Sequence, residues 1–206
     1  MSTEVLVVRH GQTFGNVDDL FCGHSETALT PLGITQAQAL GRRLANEVID
    51  VVVASDLSRA ADTARHVIEG RGLELVLDAR LREMYYGDWE ALPGKDLIER
   101  HPEIMREFFL CQRAAPGGES VRALRDRTNL AFQEIVERHR GKRVMLVSHG
   151  NAIMALVAEL LAMPEPATWS FAFENTSLTR LHVSKSGRVT VRSLNDASHI
   201  EGLNEA

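Results

Sequence analysis

The chain lacks paired cysteines, a surplus of positive charge and any long apolar run, and each absence excludes a class of protein. Its two cysteines, Cys22 and Cys111, stand far apart in 206 residues. They form no CxxC pair and no Cys/His ligand spacing, so neither a disulfide framework nor a zinc site is expected. Free thiols in a reducing cytosol fit better. Lys and Arg number 23 against 28 Asp and Glu, a formal net charge of -5. A general nucleic-acid binder needs a basic surface, so no nucleic-acid partner is expected. A small anionic ligand stays open, because a local arginine cluster can outweigh the average. No window is long enough to span a membrane. The first apolar run, Val5 to Val8, is too short for a signal peptide and is followed by Arg9, so the expected location is the cytoplasm. There is no internal repeat, low-complexity tract or linker. Residues 1–206 read as a single domain of ordinary soluble composition, 44% apolar and 25% charged.

What is present is a series of short valine-rich runs. Val5–Val8, Val51–Val53 and Val144–Val147 are continuous, as for strands buried on both faces of a parallel sheet. Leu73–Leu77 is a fourth. Helical stretches lie between them. One opens at Thr30-Pro31, with proline at the first helical position. One covers Asp56–Ile68. One runs from about Ser120 to Gly141, and one covers Ala152–Met163, stopped by Pro164. The stretch from Leu92 to Gln112 reads as helical pieces broken at Pro102, an insert over one end of the sheet. Thr179–Val183 and Val189–Val191 alternate around Lys185-Ser186-Gly187, the signature of a hairpin and an antiparallel edge. The expected fold class is α/β: a three-layer α/β/α arrangement on a mostly parallel central sheet, with an antiparallel edge and a helical insert over the active site.

In such sheets ligands bind beyond the carboxyl ends of the strands. The first strand is followed by Arg9-His10-Gly11-Gln12-Thr13, the second by Ser55-Asp56-Leu57-Ser58-Arg59, and the Val144 run by Ser148-His149-Gly150-Asn151. Two histidines and two arginines therefore meet at one edge. The last two segments also open helices, whose free N–H groups favour an anion. Arginine suits phosphate because its planar fork can donate two parallel hydrogen bonds. The cluster predicts a site for a doubly negative group. Breaking a phosphate ester there also needs an acid for the leaving oxygen. Glu83, in Leu81–Trp89 just past a strand end, is the first candidate, since a carboxyl group against aromatic rings tends to stay protonated. Asp88 and Glu90 are its rivals.

These residues resemble the histidine phosphatase superfamily, in its phosphoglycerate mutase-like branch. The resemblance rests on Leu6–Thr13 with Asn16; Leu29-Thr30 with Gly33 and Gln36-Ala37; Ser55–Ala60 with Thr63-Ala64; Glu83 with Gly87 and Trp89-Glu90; Pro116–Ser120; and Ser148-His149-Gly150. It covers nearly the whole chain, in order. It implies that His10 attacks phosphorus and carries the phosphoryl group, that Arg9, Arg59 and His149 clamp the oxygens with Asn16 and Gly150 beside them, and that Glu83 protonates the leaving oxygen and then activates water. It implies no metal. One departure is Ala91, where the family often has glycine.

Each residue also has a plainer reading. A lone histidine at a strand end is usually structural, and it is the company of Arg9 and Gly11 that turns His10 into a nucleophile. Arg59 can be a solvated helix residue, Asn16 a turn residue, Glu83 a surface ion pair, and Pro116–Ser120 a turn and cap. Trp89, Tyr85 and Tyr86 read as packing. His199 is left open as a residue that reaches the pocket. The leaving-group pocket is expected from Gln12–Ser25, the Leu92–Arg113 insert and the C-terminal tail. The expected partner is a small phosphorylated metabolite, and the hairpin edge could pair in a homodimer. The expected function is a phosphatase acting on small phosphate monoesters, without a cofactor. The alternatives are a phosphoglycerate mutase using 2,3-bisphosphoglycerate, and a non-catalytic phospho-ligand module. The complete set Arg9, His10, Arg59, Glu83 and His149 argues against the last.

Overall fold

The valine-rich runs form one six-stranded sheet in a computed structural model that describes residues 1–203. Its strands are β1 (Thr3–Arg9), β2 (Val51–Ala54), β3 (Leu75–Leu77), β4 (Arg143–Ser148), β5 (Leu178–Val183) and β6 (Val189–Asp196). In space the order is β3-β2-β4-β1-β5-β6. The first four are parallel, β5 runs against β1, and β6 returns against β5. The expected α/β class and antiparallel hairpin are both present.

The reason for the continuous apolar runs is visible in the packing. Val5 and Val7 face one side, Leu6 and Val8 the other, and both sides are covered. On the first side lie α6 (Val121–Arg138) and α7 (Gly150–Leu160), through Phe132, Ile153 and Leu156. On the second lie α2 (Pro31–Arg43) and α3 (Ser58–Val67), through Leu40, Ala60 and Val67. With no solvent-facing side, neither half of the alternation can be polar. A short helix α1 (Phe14–Val17) follows β1, and the insert holds α4 (Gly94–Arg100) and α5 (Pro102–Phe109), separated at Pro102 as expected. The insert has its own core of Trp89, Leu97, Met105 and Phe108, closed against Ala152 and Ala155 of α7.

Two helix starts differ from the sequence expectation. α3 begins at Ser58 instead of Asp56, because Leu57 is extended and stands as its N-cap, while the Asp56 carboxylate forms a two-bond pair with Arg82, at 2.7 and 2.6 Å. The helix after β4 begins at Gly150, two residues before Ala152, because His149 is extended and acts as its N-cap. The loop leaving β1 is held against the first turn of α2 by glycines. A Cβ at Gly11 would lie 2.5 Å from the Gly33 carbonyl oxygen, and one at Gly33 2.0 Å from that of Gln12. Both clashes are with backbone, so only glycine allows this approach.

Candidate active site

β1 and β4 are neighbours in the middle of the sheet, with Arg9 level with Ser148. The next residue of each strand is therefore brought beside the other. The rings of His10 and His149 lie 5.1 Å apart, inclined at 60°. In front of them opens a cleft of about 220 Å³, lined by Arg9, His10, Asn16, Arg59, Glu83 and Gly150 together with neighbouring residues.

Hydrogen bonding fixes the tautomer of each ring. His10 Nδ1 lies 2.8 Å from the carbonyl oxygen of Gly11. A carbonyl only accepts, so Nδ1 carries the proton and Nε2 keeps its lone pair. His149 is the reverse. Arg59 Nε donates to its Nδ1 at 3.1 Å, and its Nε2–H donates to Ser55 Oγ at 2.8 Å. Burial, then the charges of Arg59 and Arg9, hold the His10 pKa well below the usual histidine range. Burial and Arg59 do the same to His149. Both rings are neutral. The resemblance gave His149 a place on the oxygens, yet the structure puts it behind the cleft wall, fully buried, with both nitrogens engaged. Its observed contacts are with Arg59 and His10.

Arg59 reaches over the cleft from the first turn of α3 and is 1% exposed. Besides His149, it donates to the carbonyl oxygens of Ser25 (3.0 Å), Cys22 (3.0 Å) and Gly23 (2.6 Å). It is a tie for the 22–25 loop, and not a solvated helix residue. Four of its five N–H groups are used, which leaves one on Nη1. Arg9 donates from Nη1 to the Phe173 carbonyl at 2.5 Å, while its buried Nε has no hydrogen-bond partner among the described residues. A Cβ at position 150 would sit 3.6 Å from that Nε, so Gly150 lets the α7 backbone pack close to the guanidinium.

Glu83 is nearly buried, and both its oxygens are held by backbone. Oε1 accepts from Met84 N (2.8 Å) and Ala152 N (3.0 Å), and Oε2 from Asn151 N (3.1 Å). Burial raises its pKa against the pull of these bonds and of Arg59 and Arg9. The N-terminus of α7, which the sequence offers to an external anion, is thus occupied by the protein's own carboxyl group. The same holds at α3, where Ser58 N donates to Glu26 Oε2 at 3.1 Å. The reason is common to both. Orphan N–H groups attract the nearest acceptor, and here each has a carboxylate from a neighbouring loop. The cleft's attraction for an anion therefore comes from its arginines.

The rival acids are placed elsewhere. Asp88 is exposed, and Glu90 staples the 23–25 loop by accepting from His24 N, Ser25 N and Tyr86 N at 2.8–3.0 Å. Asn16 lines the cleft and also caps α1, its Oδ1 accepting from Thr13 N at 3.1 Å. The turn reading and the pocket reading both apply to it. Tyr86 lines the cleft as well, with its hydroxyl accepting from Asn151 Nδ2. His199 does not reach the cleft. It lies between Arg43 and Thr176, 3.1 Å from each. Sequence reasoning missed Arg127, which donates to the carbonyl oxygens of Arg80, Arg82 and Glu83 and pairs with Glu119, so that it pins the segment carrying Glu83. It also missed Glu26. Neither carries a local sequence signal, because each acts on backbone distant in sequence. Among the described residues no group of three or more His, Cys, Asp or Glu could hold a metal ion. Among the same described residues no helix is long and apolar enough to cross a membrane.

The fold and site define a three-layer α/β domain with paired imidazoles and buried arginines at the carboxyl ends of its central strands. The chain belongs to the histidine phosphatase superfamily (branch 1), whose family model matches residues 5–197. It is 34% identical over 193 residues to the adenosylcobalamin/alpha-ribazole phosphatase of Escherichia coli K12, covering 92% of this chain and 94% of that one. It is 32% identical to a probable phosphoglycerate mutase GpmB of Yersinia pestis, with 96% and 95% covered. Bacillus stearothermophilus YhfR shares the fold with a TM-score of 0.92 at 32% identity, covering 96% and 99%. The expected enzyme class, a phosphoric monoester hydrolase, agrees with the family and with the relative named as a phosphatase.

Proposed function

We propose that the protein hydrolyses small phosphate monoesters through a phosphohistidine on His10. The observation that carries this reading is the free lone pair of His10 Nε2, set by the Nδ1–Gly11 bond and kept unprotonated by burial between two arginines. A neutral imidazole facing a cationic pocket is a nucleophile for an anionic phosphoryl group. The Arg9 guanidinium and the remaining Nη1 proton of Arg59 hold the phosphoryl oxygens and stabilise their charge as it spreads in the transition state. Nε2 forms a bond to phosphorus, the P–O bond to the leaving group breaks, and Glu83 gives its proton to that oxygen. In the second half Glu83, now a carboxylate, takes a proton from water. The oxygen attacks phosphorus, the P–N bond breaks, and phosphate leaves with His10 restored. No metal or cofactor takes part in these steps. His149 acts through Arg59 and through its contact with His10.

A mutase is the second reading, favoured by the GpmB relative. It requires 2,3-bisphosphoglycerate and a second anion site for the remainder of that molecule. Among the described residues, the arginines lining the cleft are Arg9 and Arg59, both beside His10, and no lysine lines it. Hydrolysis is the better match. The test is phosphate release from a panel of phosphorylated metabolites, beside interconversion of 2- and 3-phosphoglycerate with and without bisphosphoglycerate. His10→Ala should lose both turnover and the acid-labile label left by a phospho-donor. Labelling that survives the substitution would show that another group is the nucleophile.

A further inference from the structure

Four residues of the cleft, Phe21, Tyr86, Asn151 and Met154, also line a second cavity of about 210 Å³. Its far wall is made by Phe108 and Phe109 at the end of α5 and by Trp169 and Phe171 in the segment after α7. This wall departs from the sequence expectation. The insert and the loop after β1 contribute as expected, but the third side comes from residues 165–171. The described part of the C-terminal tail packs on α2 instead, through His199 and Arg43.

The chemistry of this cavity is uniform. Trp169 lies over Phe108 with centroids 5.5 Å apart and planes inclined at 33°, and it meets Phe109 edge-on at 6.0 Å. Phe21 meets Tyr86 edge-on at 4.8 Å. Among the described residues no charged one lines the cavity. Phe109 is 47% exposed, and Phe21, Trp169 and Phe171 are only partly buried. Aromatic rings gathered from three distant segments yet left open to solvent are unfavourable unless something covers them. Continuity with the cleft indicates what that is, since the two cavities share Phe21, Tyr86, Asn151 and Met154 and a group attached to a phosphoryl at His10 has this slot as its neighbour. Tyr86 and Asn151 stand at the junction, where their paired polar ends meet the change from ionic to apolar surroundings.

We propose that this aromatic slot seats the leaving group, and that the preferred substrates are monoesters whose alcohol carries a neutral aromatic ring a few bonds from the phosphoryl oxygen. The proposal rests on the reading of the cleft as the site of phosphoryl transfer. A leaving group bearing a carboxylate or a second phosphate finds no cation in the slot and loses its hydration there. A flat uncharged ring finds offset and edge-on partners instead.

The test compares esters with matched leaving oxygens, 3-phenylpropyl phosphate and propyl phosphate, so that the intrinsic chemistry is the same. The wild-type kcat/KM should favour the phenyl ester by roughly ten- to a hundred-fold, the effect of burying one benzyl-sized group. Trp169→Ala and Phe109→Ala should each lower that ratio several-fold. A wild-type ratio near one, or a ratio unchanged in both variants, overturns the proposal. Absence of turnover on both esters would count against the phosphatase reading and not against the slot. The slot is then read by calorimetry, as the ratio of affinities for 4-phenylbutylphosphonate and butylphosphonate. A preference of similar size supports it, and equal affinities refute it.

Discussion

Arg59 donates from Nε to Nδ1 of His149 at 3.1 Å, and this bond makes each residue dependent on the other. The guanidinium is oriented by an imidazole that can only accept at that nitrogen, and Ser55 on the far side keeps it so. Replacing His149 with alanine leaves a buried charged donor without its partner. It should lower stability by about 1–3 kcal/mol and kcat by on the order of a hundred-fold. His149→Asn offers an oxygen near the former Nδ1 and should recover part of both. Thermal unfolding with steady-state kinetics checks this, and equal loss in the two variants would contradict a positioning role.

Glu83→Gln keeps a side chain that can still accept from the α7 backbone but has no proton to give. It should slow alkyl phosphates far more than p-nitrophenyl phosphate, whose leaving oxygen needs no proton. The pH profile should follow. Because the His10 pKa lies well below the histidine range, the acid limb of kcat/KM should fall well below pH ~6.5. The alkaline limb reports Glu83, whose pKa is raised, and should disappear in Glu83→Gln. A profile limited by a group titrating at ~6.5 on the acid side would be at odds with a buried neutral His10.

Stability should decline as the solution is acidified. His10 and His149 are held well below their unfolded value, and His199 is lowered to about 4 by burial and Arg43. Below pH ~6.5 the unfolded chain takes up protons that the folded chain refuses, so unfolding is favoured progressively down to the folded pKa values. Glu83 has the opposite sign, since its raised pKa lets the folded state hold a proton the unfolded one has lost, but it is one group against these three histidines and against His24 and His139, which are lowered too. The melting temperature should therefore fall from pH 7 to pH 5, and His199→Gln should flatten part of that slope. A melting temperature constant over this range would refute the assignment.

Ala91 has φ +59°, the left-handed region, on an exposed turn whose amide donates to the Phe21 carbonyl at 3.0 Å. A side chain there is strained by ~1 kcal/mol. Ala91→Gly should raise stability by up to ~1 kcal/mol, less what glycine gives up in the unfolded chain. Denaturant unfolding would show it, and a loss of stability would mean that the turn is not strained.

The departure at Ala91 was visible in the sequence, and its backbone meaning was not. The same division runs through the molecule. Strands, helix order and the grouping of Arg9, His10, Arg59, Glu83 and His149 were legible, because hydrophobic period and strand-end motifs are local signals. Which nitrogen of His149 faces Arg59, and which carboxylate takes each helix N-terminus, depends on loops meeting across the fold. Glu26 and Arg127 escaped notice for that reason. Tyr86 reads as packing because aromatic side chains are mostly buried, while its residue also lines the cleft and its hydroxyl meets Asn151 there.

The acceptors that hold Arg59 over the cleft at Cys22, Gly23 and Ser25 are all main-chain carbonyls. An alignment column records side chains, so this anchorage would leave no trace in one. Divergence at position 22 can reshape the rim without unfastening the guanidinium, and ester preference can drift while the phosphorylation machinery stays in register.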